Sequence, residues 1–599
     1  MNIATLILFL TFISTISAII LGFKAFPEET MRNLYVNKVY YFLIINLLLW
    51  FFALIKTKQK GWYETIFDYW KKHKWGVIVA LLLTVCGIFA SIPDYRVLAD
   101  ETNLLSLSRA LYEERECKNY TSVKNYYYGF KDIISWEVDK RPALFPLTVS
   151  FFHSLFGYRP ENAFAVNIIA GFLSLLLMYH LVSVRFGRFF GICSMVLLAS
   201  YPLFLLFYTS AGFEIFNLMF SLILFWLLSK FIKEPNALNA EALVYVLPLI
   251  SQTRYESSSA FICVLPAIFM ILPKKEYFKF SFKLCILPLL FIPVAWLRLL
   301  TDNARGLQVD EVGKAAFAWE HFVTNSKKAV SFFLGSDLSC GMVSIIAFMA
   351  ISGLILFLLD YIVTPSKRLN LESIKFDIFK IDLSKIKRKY NYKLAIFGSS
   401  LFLFYLLHAV IRFAYYWGDL TYKFNTRLGI IFLPIFVLGS VYLFYWLWMH
   451  FNVKKSYFLL ISMMCLLIYW PVAGQNYGIR ELTLYREFRA VREFLQQHFP
   501  NKNEYILVAD RANLYIPFKY NCVSFTYLKN NVSTLKSNLN NRTYNYIVFL
   551  QTINRETGEP TNRCIVPSAF KLTNLHETQI KVDQYLRISK YDLSSDSQK

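Results

Sequence analysis

Charged side chains are scarce in this sequence. They make up 17% of 599 residues, with 63 Lys and Arg against only 40 Asp and Glu, where soluble proteins carry roughly 25%. Beside 56% hydrophobic residues and a mean hydropathy of +0.41, that shortage excludes a soluble enzyme. Disorder is excluded by 57 Phe and 39 Tyr, too much apolar surface to remain solvated. No Cys/His spacing resembles a zinc site, and there is no internal repeat or low-complexity tract. The first apolar run lacks the basic segment and small-residue cleavage site of a signal peptide and reads as a membrane span. The nine cysteines are an odd number. Cys86, Cys193, Cys263, Cys285 and Cys465 fall inside apolar runs as small core residues, Cys522 and Cys564 can pair in an oxidising compartment, Cys117 lies in the first outer loop, and Cys340 stands at the start of the run 340–361. The net charge of +23 concentrates in short loops between apolar runs. That is the positive-inside pattern, and it points away from nucleic acid.

What is present is a series of runs long enough to cross a bilayer, which takes about 20 apolar residues per helix. They lie near 3–21, 39–55, 75–93, 162–184, 189–208, 212–232, 284–300, 340–361, 394–411, 428–449 and 456–472, and two shorter runs, 241–253 and 257–272, flank Gln252-Thr-Arg-Tyr-Glu256. Loops 56–74, 273–283 and 362–393 are rich in Lys and Arg and read as cytoplasmic, the run Lys385–Lys389 among them. Segment 94–141 balances acids against bases and reads as the outer side. Alternation gives about thirteen spans, N-terminus inside and C-terminus outside, provided that the short run 143–157 lies in the interface. After Trp470-Pro471 the composition turns polar. A helix-like stretch from Tyr485 to His498 and strand-like runs at 505–510 and 546–550 predict an α/β domain. The expected organisation is two extra helices and a basic loop in 1–74, a transmembrane core over 75–474 with first outer loop 94–161, and a soluble outer domain over 475–599.

The first outer loop carries the most chemistry. It opens Asp94-Tyr-Arg-Val-Leu-Ala-Asp100-Glu101, and Leu104, Leu107 and Leu111 recur at helical spacing, which predicts an amphipathic helix at the membrane interface. Asp100 at its start reads either as an N-cap or as a general base at the membrane surface. Glu214 reads either as a dipole-favoured acid at a helix start or as a site residue. Arg254 and Glu256, inside the membrane, read as a pair, and Arg412 as a snorkelling interface residue.

These residues occur in a recurring order. Asp100-Glu101 follows a span; Arg141-Pro-Ala-Leu-Phe-Pro146 and Leu155-Phe-Gly157 lead into the next; Arg185-Phe-Gly-Arg188 forms a turn. Glu214 follows Tyr208-Thr209, then comes Thr253-Arg-Tyr-Glu256, and Arg427 precedes Pro434. In that order they resemble the GT-C superfamily of polyprenyl-phosphate-sugar-dependent glycosyltransferases, in its protein-mannosyltransferase and aminoarabinose-transferase branch. The likeness spans about residues 90–275 and, loosely, 412–440. Ala143 stands where the family has a second Pro, and residues 1–74 have no counterpart in the core pattern.

The resemblance implies a polytopic α-helical GT-C-like fold with an outer α/β domain, and transfer of a sugar to an acceptor at the outer face, with inversion. Asp100 is the implied base, and Glu101 and Glu214 orient hydroxyls. Arg254, Glu256, Arg427, Arg412, Lys140 and Arg141 are implied around the lipid phosphate. The implied partners are a polyprenyl-phosphate sugar donor, a glycan, lipid or protein acceptor, and membrane lipids. No cofactor is required by the motifs; a divalent cation, Mg or Mn, is the option. A bacterial inner membrane with a periplasmic active site fits this reading. Two other functions compete. A lipid-linked-sugar flippase predicts internal pseudo-symmetry and mid-span charges, whereas the ionisable residues here gather at outer ends. An O-antigen-ligase-like enzyme would draw on Arg305, His321, Lys327 and Lys328 in loop 301–339.

Overall fold

The computed structural model describes residues 3–23, 26–57, 62–125, 131–303, 315–335, 342–363, 392–422, 424–475, 482–581 and 583–593. The basic run Lys385–Lys389, and Arg305, lie outside them. The described residues of the thirteen expected segments are largely helical, with 189–208 and 284–300 each divided between two helices. Among the described residues seven helices are long and apolar enough to cross a bilayer, or eight if one bent pair counts as a single span; others, such as Ala237–Ser251 and Tyr255–Ile271, are apolar but shorter.

The bent pair corrects the reading of 189–208 as one continuous span. Arg188–Ala199 and Pro202–Tyr208 meet at 76°. Pro202 opens the second helix, and its ring disfavours helical backbone in the residue before it; Tyr201 accordingly takes φ −71°, ψ 118°. The bend turns the loop Thr209–Phe213 toward the first outer loop, and this is what carries Glu214 to the site.

The helix Leu98–Glu113 exists as its leucine spacing requires, but it does not lie on the membrane surface. Leu104, Leu107 and Leu111 are each 1% exposed. They are sealed between the helix Leu144–Phe156 and the C-terminal unit: Arg109 Nη1 donates to Ile516 O at 2.8 Å, and Asn513 Nδ2 donates to Asn103 Oδ1 at 2.8 Å. An amphipathic face needs an apolar partner, and here protein supplies it rather than lipid.

The C-terminal residues build a seven-stranded sheet together with the first outer loop. Its strands are β1 (Asn119–Asn125), β2 (Lys131–Glu137), β3 (Tyr505–Ala509), β4 (Cys522–Val523), β5 (Tyr546–Asn554), β6 (Thr573–Gln579) and β7 (Gln584–Tyr591). The order is β2-β1-β4-β3-β5-β7-β6. β3 runs parallel to β4 and β5, and β1 joins β4 antiparallel at Val123 and Cys522. Successive side chains of a strand point to opposite faces. Leu507 and Cys522 belong to the core shared with the membrane helices, while Ile506, Val508 and Phe549 close a second core with Leu528, Leu535 and Leu539. Cys522 and Cys564 fall in these two different cores. Both are free thiols, so the expected pairing is not made.

The two N-terminal helices pack as a flank. Trp296 Nε1 donates to Leu21 O at 2.7 Å, and Cys117 N donates to Val36 O at 2.8 Å. The helix Glu28–Lys56 thereby touches the first outer loop as well as Ala237–Ser251.

Candidate active site

The structure brings six of the predicted residues, Asp100, Arg141, Glu214, Arg254, Glu256 and Arg427, together in one file with Arg412 and with Asp139, which the sequence did not single out. Asp139, Arg141, Asp100, Arg427, Glu214, Arg254, Glu256 and Arg412 alternate in sign along it. Arg141 Nη1 lies 2.9 Å from Asp139 Oδ1, and Arg141 also pairs with Asp100 Oδ1. Arg427 pairs with Asp100 Oδ2 and reaches Glu214 Oε1 at 3.2 Å. Arg254 reaches Glu214 Oε1 at 3.6 Å and Glu256 Oε1 at 3.3 Å, and Arg412 closes the file on Glu256. A lone buried charge is costly, and pairing on both sides is what allows this many at the edge of a bilayer.

Asp100 does not cap its helix. The N-cap is Val97, with no side-chain cap bond, and Asp100 sits inside the first turn. The reach-back of a capping box is made instead by Glu101, whose Oε2 accepts from Arg96 N at 2.7 Å and Val97 N at 3.1 Å. Its Oε1 accepts from Ala211 N at 3.2 Å, so Glu101 ties the loop before Glu214 to the start of the helix bearing Asp100. It is 1% exposed. Burial pushes its carboxyl up to about 8, against the backbone N–H of Arg96 and with the nearby Glu214 carboxylate adding to the rise. Burial acts on Asp100 in the same direction, but Arg141 and Arg427 outweigh it and hold that carboxyl well below the usual carboxylate range. Asp100 keeps 23% side-chain exposure, so a substrate hydroxyl can reach it.

Glu214 opens its helix and is buried, as the dipole reading requires, and it also sits in the file. Its Oε2 has no hydrogen-bond partner among the described residues. Gly212 leaves it room, since a Cβ there would stand 2.4 Å from that oxygen. Arg254 lies 4.7 Å above the Phe213 ring. Arg412 is not a snorkelling residue: at 11% side-chain exposure it is committed to Glu256. The break at Thr253–Glu256 is held by Asn217, whose Oδ1 accepts from Thr253 Oγ1 at 2.7 Å and Ser257 Oγ at 2.8 Å.

Two cavities adjoin the file. One of about 20 Å³, room for roughly one water, is lined by Glu214, Asn217, Arg254, His408, Arg412 and Arg427. The other, about 320 Å³, is largely apolar, with Lys140, Tyr255, Glu256, Arg298, Arg412 and Tyr415 among its walls. Glu256 and Arg412 line both.

Sequence reasoning did not single out Asn217, Arg298 or Arg96, and it read His408 as packing only. Asn217 had a signal, standing one helical turn after Glu214. Arg96 is 1% exposed, and its guanidinium donates to Leu206 O at 3.2 Å and to Ser91 Oγ and Ile92 O at 3.0 Å; no local pattern marks such a tie. His408 packs against Phe404 and also contacts Ser259 Oγ at 3.2 Å behind Glu256. Among the described residues no group of three or more His, Cys, Asp or Glu is placed to hold a metal ion.

A polytopic helical protein with a buried, charge-alternating site beneath an α/β roof is thus the class defined by fold and geometry. Residues 140–297 match the family model of dolichyl-phosphate-mannose-protein mannosyltransferase, and that stretch contains Arg141, Glu214, Arg254 and Glu256. That match covers 158 of the 599 residues. No curated protein matches the chain in sequence. Among solved structures it is similar to ArnT from Cupriavidus metallidurans bound to undecaprenyl phosphate, at 9% identity and TM-score 0.47, over 88% of this chain and 99% of that one. It is also similar to the Archaeoglobus fulgidus oligosaccharyltransferase in complex with Zn and sulfate, at 10% identity and TM-score 0.42, over 79% and 67% of the two chains. The arabinosyltransferase EmbB from Mycobacterium smegmatis is similar at 11% identity and TM-score 0.32, over 90% and 48%.

Proposed function

We propose that the chain transfers a sugar from a polyprenyl-phosphate donor to a glycan, lipid or protein acceptor, at the membrane face covered by the α/β unit. The bacterial inner membrane, periplasmic side, is the setting that fits. The observation that carries this reading is the convergence of Asp100 with Arg141 and Arg427 beside an apolar cavity whose walls hold Lys140 and Arg412. An isoprenoid tail suits such a cavity, and arginine grips phosphate bidentately.

In the proposed reaction the acceptor oxygen attacks the anomeric carbon in line, with inversion. Its proton passes to the Asp100 carboxylate, and the bond from the anomeric carbon to the phosphate oxygen breaks. The phosphate leaves with the electron pair and is held by guanidinium groups, with Arg412, Lys140, Arg254, Arg427 and Arg141 as the candidates. Glu214 orients a sugar or acceptor hydroxyl through its unpartnered Oε2. Glu101 is a positioning residue that fixes the Asp100 helix to the Glu214 loop. Mg or Mn does not fit Asp100, Glu214 or Glu256 as they stand, because each is paired with arginine, and the transfer outlined here passes through no cation.

Asp100→Asn tests the reading. General-base help is worth about 10²–10⁴ in rate, so the purified variant, supplied with radiolabelled polyprenyl-phosphate sugar, is expected to transfer at least about a hundredfold more slowly. Near-wild-type transfer would move the base to Glu214.

A further inference from the structure

The arginines a phosphate would need are already taken. Every guanidinium in the file faces at least one carboxylate, and Asp100 has one oxygen on Arg141 and the other on Arg427. The arrangement has two consequences for chemistry. An incoming phosphate anion meets no guanidinium in the file without a carboxylate competing for it. A carboxylate clasped by two guanidiniums is also a weak base, because protonating it forfeits both attractions.

We propose that the donor's phosphate displaces carboxylates from this file and that the displacement unmasks Asp100 as the base; the inference rests on the glycosyl-transfer reading. The geometry supplies the route. Glu256 and Arg412 form the wall shared by the two cavities, so a phosphate in the larger one meets Arg412 first. Arg412 turned toward phosphate releases Glu256 onto Arg254. Arg254 is held to Glu214 only at 3.6 Å, the longest contact of the file, Arg427 reaches it at 3.2 Å, and Glu214 keeps Oε2 unpartnered. Glu214 freed from Arg254 takes Arg427 more fully, and Arg427 relinquishes Asp100. Each step exchanges one anion for another on the same guanidinium, and Asp100 keeps Arg141 on its other oxygen, so no buried charge is left alone. An enzyme built this way keeps its base weak until the donor is seated.

Competition for the same cations is reciprocal, which makes binding the test. The probe is undecaprenyl phosphate, added to the full chain in nanodiscs, with its affinity measured by calorimetry. Removing the competing charge by Asp100→Asn is expected to tighten binding about fivefold or more, although the variant transfers sugar poorly. Glu256→Gln, which removes the competitor next to the cavity, is expected to tighten it as well, and Asp100→Ser gives the same readout should the Asn variant not fold. Unchanged or weaker binding by a folded Asp100 variant would overturn the exchange. If that variant had also lost transfer, the base assignment would survive while the unmasking failed; if it kept transfer, the base assignment itself would be wrong.

Discussion

Asp100 and Glu101 are neighbours in sequence, and the fold sends them into opposite electrostatic surroundings. Asp100 meets two guanidiniums, whereas Glu101 is buried against backbone N–H groups with the Glu214 carboxylate nearby. The folded pKa of Glu101, about 8, lies above the ordinary 4.5, so the folded state holds this proton more tightly than the unfolded one. The resulting stabilisation is complete below about 4.5 and is lost as pH rises through about 8. The melting temperature is therefore expected to fall between about pH 5 and pH 8, and Glu101→Gln is expected to flatten that slope; an undiminished slope in the variant would assign it to other groups. The sequence marked both residues as chemically important. It offered Asp100 as a cap or a base and Glu101 as a hydroxyl contact; the reach-back to Arg96 N and Val97 N is made by Glu101, while both oxygens of Asp100 are taken by arginines.

At the scale of elements, apolar runs and their breaks were legible, but how the helices meet was not. The helices Ser344–Val363 and Leu433–Phe451 approach so closely that a Cβ on Gly353 would lie 1.8 Å from Gly439 O, and one on Gly439 2.5 Å from Ala350 O. Small residues permit this approach between membrane helices. Gly353→Ala is expected to destabilise the protein by about 1–3 kcal/mol through overpacking. Gly398→Ala, whose Cβ would meet only the Phe357 ring at 3.6 Å, is expected to be near neutral. Thermal unfolding in detergent compares the two, and equal effects would refute the close-packing account. The bend at Pro202 belongs to this scale too. The Tyr-Pro pair was visible in the sequence, but hydropathy alone reads straight through it.

At the scale of the whole molecule, β1 and β2 of the first outer loop complete a sheet with strands more than 380 residues later in the chain, such as β4. The strands of the first outer loop and those of the C-terminal unit must therefore lie on the same side of the membrane. Single cysteines at Arg115 and Asn501 are expected to react with an impermeant maleimide from one side, and a cysteine at Lys274 from the other. Arg115 and Asn501 labelling from opposite sides would refute the topology. All three positions are exposed.

The sequence by itself determined that the chain is a polytopic membrane protein, where its apolar segments lie and most of the acids and arginines of the candidate site. Those properties follow from length, hydropathy and local motif order. Only the tertiary structure decided that Asp100 is clasped by arginines 41 and 327 residues away, that the leucine face of its helix is covered by protein, and that the two outer segments share a sheet. Each of these depends on pairings between distant segments, where several partners satisfy the same local pattern and only packing selects among them.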